Sequence, residues 1–288
     1  EGLDEEQEIT VTVPERKYTP QELSKVLKLM ADSLEEQILA DNESLDCVTR
    51  DLNLITEIQD TQVKINWSMD SDKYMDINGN KATAYGFIAA AEKAGLRLYL
   101  GSYPITPATD VLHELSKHKS LGVVTVQAED EIAGCASAVG AAFAGALAVT
   151  STSGPGVCLK SEAMNLAVIA ELPLVILNVQ RGGPSTGLPT KSEQTDLLQA
   201  LYGRNGESPM PVIAAKSPAD CFDAAFMACK IAVEHMTPVV LLTDAFIANV
   251  SAAWKLPELA EYPAFTAPFV TADMMGKWTP FMRNEETG

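Results

Sequence analysis

Six short apolar segments, at 97–101, 122–127, 147–150, 174–179, 212–214 and 239–243, alternate along the chain with helix-length stretches at 82–94, 109–117, 131–144, 157–170, 193–201 and 219–234. Strand-length apolar runs separated by helices of about ten residues or more cannot close hairpins with one another, and they leave apolar surface on both sides of each strand. The pattern predicts an α/β fold, a mostly parallel sheet with helices on both faces. In such sheets ligands bind outside the carboxyl ends of the strands, so the segments that follow those strands are where function is expected.

Three of those segments are polar loops. They read Gly-Ser-Tyr-Pro-Ile-Thr-Pro at 101–107, Thr-Ser-Thr-Ser-Gly-Pro-Gly at 150–156 and Gln-Arg-Gly-Gly-Pro-Ser-Thr-Gly-Leu-Pro-Thr at 180–190, with an acidic run at 129–131 between the first two. Their recurrence predicts one composite crevice. The 150–156 loop matches neither the Walker pattern nor Gly-x-Gly-x-x-Gly, and Pro155 removes a backbone donor, so a turn lining a planar ligand fits it better than a phosphate cradle. The helix from 131 is almost all small and apolar, which predicts tight packing on every side. Acids at its start have an ordinary explanation in the helix dipole. A carboxylate entering such surroundings also demands a cation or a proton donor beside it.

The net charge of −18 disfavours nucleic acid and anionic membrane as partners. Residues 1–80 hold 19 Asp or Glu against 7 Lys or Arg, leaving a net charge of −6 on the other 208 residues. The acidic segment is thus distinct from the α/β region, and a domain boundary is expected near residue 78, where Asn78-Gly79-Asn80 reads as a turn. Within it, 19–41 has the apolar spacing of an amphipathic helix, and 63–67 reads as a strand. Residues 256–288 are Pro-rich and aromatic without period, as in a linker toward a further domain. The chain opens without Met and without a signal-peptide pattern, so it reads as part of a longer, cytoplasmic protein with no membrane segment.

The five cysteines (47, 135, 158, 221 and 229) form no Cys-x-x-Cys pair. Cys221 and Cys229 share a helical face and read as buried thiols. His113, His118 and His235 lie on or at the ends of predicted helices, with no carboxylate or cysteine spacing that suggests a metal site.

Four motifs in order, Tyr103-Pro-Ile-Thr-Pro-Ala, Ala128-Glu-Asp-Glu-Ile-Ala, Thr152-Ser-Gly-Pro-Gly and Asn178-Val-Gln-Arg-Gly-Gly-Pro-Ser-Thr-Gly-Leu-Pro-Thr, resemble the α subunit of 2-oxoacid:ferredoxin oxidoreductases over about residues 78–255. The likeness extends to Ser217-Pro-Ala-Asp-Cys-Phe and Thr243-Asp-Ala-Phe-Ile-Ala-Asn. It implies the pyrimidine-binding domain of the thiamine-diphosphate-binding fold, with residues 1–77 as the end of a fused γ domain plus linker.

By the resemblance, Glu131 meets N1′ of the aminopyrimidine and is the catalytic carboxyl, and Gly154, Pro155 and Gly156 line the cofactor. Arg181 holds the substrate carboxylate, and Thr106, Thr186 and Thr190 contact the 2-oxoacid. The implied reaction decarboxylates 2-oxoglutarate or a related 2-oxoacid, gives acyl-coenzyme A, and passes electrons to ferredoxin. The chain has no Gly-Asp-Gly…Asn run for Mg²⁺ and diphosphate and no cluster cysteines, so the resemblance puts Mg²⁺ and the [4Fe-4S] cluster on a β-subunit partner in an α/β hetero-oligomer. Asn205 stands where many relatives carry histidine. A non-redox thiamine-diphosphate decarboxylase or synthase and a non-catalytic assembly module remain as alternatives.

Overall fold

The computed structural model describes residues 9–12, 28, 34, 64–67, 74–283, 285 and 286, and the chain divides into two bodies, Glu1–Met75 and Asp76–Gly288. In the first body, β1 (Ile9–Thr12) runs antiparallel to β2 (Lys64–Trp67), with Ile9 opposite Trp67. The strand read at 63–67 is thus present. The helix expected over 19–41 lies outside the described residues except for Lys28 and Leu34, which are both helical. Cys47 also lies outside them.

The second body opens at the end of β3 (Tyr74–Asn78) and enters α1 (Gly79–Ala94). Asn78-Gly79-Asn80 is not a turn here. Asn78 caps the helix by accepting the Lys81 N–H at 2.9 Å, and Gly79 and Asn80 are its first residues. A Cβ at Gly79 would lie 2.5 Å from the Ile247 carbonyl, so the glycine serves close packing.

The expected alternation follows as β4 (Leu98–Ser102), α2 (Thr109–Ser116), β5 (Val124–Gln127), α3 (Glu131–Phe143), β6 (Leu147–Thr152) and α4 (Gly154–Ile169). After these come β7 (Leu174–Gln180), α5 (Leu197–Tyr202), β8 (Val212–Ala214), α6 (Asp220–His235) and β9 (Pro238–Asp244). The six strands β4 to β9 form one parallel sheet in the order β5-β4-β6-β7-β9-β8. A short α7 (Ala245–Asn249) and β10 (Ser251–Lys255), which pairs with β3, had no clear sequence signal.

Both faces of the sheet are covered. Ala148, Leu174, Ile176, Val240 and Leu242 pack with Cys135, Ala138, Val139, Val157, Met164, Ala167 and Ala200 of α3, α4 and α5. The alternate residues Val149, Val175, Leu177, Val239 and Leu241 are equally buried and point to the other face, where α1 and α6 pack. Cys221 and Cys229 are buried there as free thiols.

Two further expectations fail. The helix read at 193–201 begins only at Leu197, because the preceding side chains are committed to loops and strand ends: Glu193 accepts the Gly183 N–H, and Gln194 donates to Asp244. Nor is α3 packed on every side. It buries Gly134, Cys135, Ala138, Val139 and Ala142, whereas Ile132, Ala136, Gly140 and Phe143 face solvent, Phe143 at 81% exposure. Small residues fit one close approach, at β4, where a Cβ on Gly101 would lie 2.4 Å from the Gly134 carbonyl. The opposite side of the helix is apolar without being covered.

Beyond β10 the tail is partly docked. Phe265 is buried, Tyr262 and Phe265 stack edge-on against Phe226, and the Tyr262 hydroxyl donates to Asp223. Among the described residues no helix is long and apolar enough to cross a membrane.

Candidate functional site

The strand order puts a change of direction between β4 and β6: the chain leaves β4 outward to β5 and returns on the other side of β4. The helices leaving two such strands lie on opposite faces, which opens a crevice at their carboxyl ends. The 101–107 and 150–156 loops start there. They are tied together by Ser102 and Ser151, whose hydroxyls lie 2.6 Å apart, and by Tyr103 and Thr152, whose hydroxyls lie 2.8 Å apart.

Glu131 reaches this crevice from the third side. Asp130 caps α3 by accepting the Ala133 N–H at 2.8 Å, which makes Glu131 the first helical residue. Its side chain is half-buried, whereas those of Glu129 and Asp130 are exposed. Of the acidic run, only Glu131 therefore faces the loops. Its carboxylate lies beside the Tyr103 hydroxyl, whose pKa is pushed up mainly by burial; the Thr152 hydrogen bond opposes the rise, Glu131 adds to it, and Arg181 opposes it. One phenol thus lies within electrostatic reach of both the acid and the arginine.

Gly156 sits at the same point. A Cβ there would stand 2.0 Å from Thr152 Oγ1, 2.4 Å from Tyr103 Oη and 3.0 Å from Glu131 Cγ, so only glycine lets these side chains converge. At Gly154 the obstacle is the Asp196 carboxylate, 2.6 Å from the same imagined atom. Both glycines are required by the chain's own packing. Pro155, half-buried, occupies the first turn of α4. Ser153 caps that helix without a side-chain bond, and its hydroxyl is buried with no partner among the described residues.

Arg181 is 5% exposed. It donates from Nη1 to the Thr106 carbonyl at 2.6 Å and from Nη2 to the Thr186 carbonyl at 3.2 Å, while its Nε is buried without a partner among the described residues. No carboxylate among the described residues pairs with it, and a buried cation without counter-charge costs several kcal/mol. The arrangement suits an anion arriving from outside. Arg181 draws together two of the predicted threonines through their backbones, leaving both side chains exposed. Thr106 and Thr190 line one hollow of about 190 Å³ with Pro107, Asp110, Pro189 and Asn249.

A polar net under these loops was not anticipated. Gln180 donates to the Thr243 carbonyl at 3.1 Å and accepts the Asp196 N–H at 3.0 Å, Asn178 donates to Asp196 at 2.9 Å, and Gln194 donates to Asp244 at 2.7 Å. It fastens the Arg181 loop to the ends of β7 and β9. Lys160, also missed, lies fully buried under Glu131. Its signal was present, since Lys160 falls in phase with the apolar residues Val157, Met164 and Ala167.

Asn205 is elsewhere. It pairs with Asn165 at 2.6 Å, and Asn165 is eleven residues, roughly 16 Å, along α4 from Gly154. No proton-transfer role at the crevice follows for it. His113 and His118 lie near Asp110 and Glu114 respectively, and no group of described residues is arranged to hold a metal ion.

The family described as pyruvate flavodoxin/ferredoxin oxidoreductase, thiamine diphosphate-binding, matches residues 89–280. Among curated proteins, the 2-oxoglutarate oxidoreductase subunit KorA of Mycobacterium tuberculosis is 59% identical over 215 residues, which are 75% of this chain and 33% of that protein. The 2-oxoglutarate synthase subunit KorA of Archaeoglobus fulgidus is 42% identical over 190 residues, 66% of this chain and 54% of its own length. The solved 2-oxoglutarate:ferredoxin oxidoreductase of Magnetococcus marinus, with 2-oxoglutarate, coenzyme A and succinyl-CoA bound, superposes with a TM-score of 0.65 at 32% identity, covering 86% of this chain and 43% of that one. The chain therefore spans a third to about half the length of these relatives.

Proposed function

This chain belongs to the 2-oxoacid:ferredoxin oxidoreductase α-subunit family, carrying its thiamine-diphosphate-binding pyrimidine domain, and from that premise we propose that it forms one half of the active site of an enzyme that oxidatively decarboxylates 2-oxoglutarate. The products are an acyl-coenzyme A and CO₂, with electrons passing to ferredoxin. The carrying observation is that a half-buried acid, Glu131, and a buried arginine with no carboxylate partner among the described residues, Arg181, both lie within electrostatic reach of Tyr103.

The residues suit thiamine diphosphate. A carboxyl at a helix start, a glycine where three side chains converge, and the orphaned Ser153 hydroxyl fit the polar edge of an aminopyrimidine. When bound, that cofactor supplies a carbon nucleophile and holds the electron pair released by decarboxylation. With the cofactor bound, Glu131 would be the group to exchange a proton with a nitrogen of the aminopyrimidine, its half-buried position favouring a shared proton. Gly154, Pro155 and Gly156 would line the cofactor ring. Arg181 takes the substrate carboxylate on the N–H groups its carbonyl contacts leave free, including Nε, and this fixes the oxoacid by a planar fork. Thr106, Thr186 and Thr190, exposed on the two loops that Arg181 bridges, offer hydroxyls to the rest of the substrate.

The proposed β partner supplies Mg²⁺, the diphosphate site and the [4Fe-4S] cluster. On the two helices that begin at the crevice, Ile132 and Phe143 of α3 and Leu159, Leu166 and Ile169 of α4 are uncovered apolar positions suited to contact with a second subunit. The choice of 2-oxoglutarate draws on the names of the two KorA proteins and on the ligands of the M. marinus enzyme. The test is reconstitution with the cognate β subunit, followed by viologen reduction with 2-oxoglutarate, pyruvate and branched 2-oxoacids in turn. A clear preference for 2-oxoglutarate is expected; preference for another oxoacid overturns the substrate, and no reduction with any of them overturns the function.

A further inference from the structure

The most deeply buried charge in the second body has no part in the mechanism above. Lys160, on α4, has no exposed surface. Its Nζ donates to the backbone carbonyl of Glu131 at 3.1 Å and to Thr150 Oγ1 at 3.0 Å, and it lies 5.0 Å from the centre of the Tyr103 ring. No carboxylate among the described residues forms an ion pair with it. As a packing element this lysine is a poor choice, because an apolar side chain of similar length would fill the space without desolvating a charge. What distinguishes it is the identity of the groups it gathers. They are the peptide of Glu131 itself, the strand that runs on to Thr152 and Ser153, and the tyrosine whose hydroxyl bonds Thr152 and lies beside the Glu131 carboxylate.

We propose that Lys160 is a positioning residue for Glu131, tying the first peptide of α3, the end of β6 and the Tyr103 ring into one unit that holds the Glu131 carboxyl at the crevice. The inference rests on reading Glu131 as the cofactor contact. The other half of the site is fastened independently, since Arg181 is held by the carbonyls of Thr106 and Thr186. Loss of the lysine therefore disturbs the cofactor side and spares the binding of the oxoacid carboxylate.

The test uses the assembled α/β enzyme with four variants: Lys160→Met, Thr150→Val, Glu131→Gln, and the first and third combined. For each, kcat and KM for 2-oxoglutarate are measured, and thiamine diphosphate affinity is taken by calorimetry. Lys160→Met is expected to lower kcat and cofactor affinity by about tenfold each, with KM for the oxoacid within about twofold of the parent. Thr150→Val, which removes one acceptor and keeps the lysine, moves the same quantities in the same direction by less. On the Glu131→Gln background the lysine change adds nothing further, because two groups acting as a unit are not additive. Parental kcat and cofactor affinity in Lys160→Met, or losses that add in the combined variant, overturn the proposal. If Lys160→Met does not assemble, parental values in Thr150→Val overturn it alone. Glu131→Gln separates the two readings: if it keeps full activity, the cofactor reading falls and takes this one with it, whereas an impaired Glu131→Gln beside a normal Lys160→Met removes only the lysine.

Discussion

Arg181 and Lys160 are both buried cations without a carboxylate partner among the described residues, yet the physics asks different things of them. Arg181 has a buried Nε with no partner among the described residues and is held by loops whose Thr106 and Thr186 are exposed, so an incoming carboxylate is proposed to complete its pairing. Arg181→Lys keeps the charge and loses the fork. In the reconstituted enzyme KM for the 2-oxoacid is expected to rise by about tenfold to a hundredfold, the loss of one charged hydrogen bond, and an unchanged KM in steady-state assays contradicts the carboxylate role. Lys160 is sealed, and burial pushes its pKa down to about 8. The unfolded lysine titrates at about 10.4, so between these values the unfolded chain binds more protons and this group makes stability rise with pH. Its burial penalty is full below pH 8 and fades toward pH 10.5. Replacing it with Met removes that rise: chemical denaturation across pH 7 to 10.5 should show the parent gaining on the variant as pH increases. A constant difference contradicts the buried, titrating lysine. Glu131 and Arg181 were legible in sequence through their motifs. Lys160 was legible only through its helical phase, because a lone lysine in an apolar helix carries no motif.

Among the elements, β4 and α3 meet so closely that the strand has no room for a side chain at Gly101, where the obstructing atoms include the Gly134 carbonyl and the Ala138 N–H. Backbone cannot turn aside as a side chain does. Gly101→Ala is therefore expected to destabilise the domain by about 1–3 kcal/mol in urea unfolding and to displace Glu131 with its helix, lowering cofactor affinity in the assembled enzyme. A variant as stable as the parent contradicts this contact. At Gly156 the two nearest obstructing atoms are hydroxyls, so Gly156→Ala should act differently, breaking the Tyr103–Thr152 pair rather than moving a helix. The alternation of elements was legible because strand and helix periods are local. The loss of the first turn expected at 193–196 was not, since it arises from Glu193 and Gln194 reaching Gly183 and Asp244, partners fixed only by the folded sheet. The outward face of α3 was misjudged for a related reason: small apolar residues signal close packing and do not say on which side, or against which chain.

For the molecule as a whole, the proposed sharing of the site with a β subunit accounts for a sheet with two covered faces that still leaves Ile132, Phe143, Leu159, Leu166 and Ile169 in water. With the proposed β subunit added, hydrogen exchange should slow along α3 and α4, and no slowing there contradicts the docking face. The isolated chain is expected to bind thiamine diphosphate weakly and to show little activity, because the metal and diphosphate site is proposed to belong to the β partner. The central claim is that the Glu131 carboxyl works on the cofactor ring once the partner closes the crevice. The most direct measurement is the rate of 2-oxoglutarate-dependent electron release by the assembled enzyme carrying Glu131→Gln, with cofactor saturating. A fall of about 10² to 10⁴ in kcat, the range for losing a positioned acid–base group, is the predicted result; a rate equal to the parent's would contradict the account.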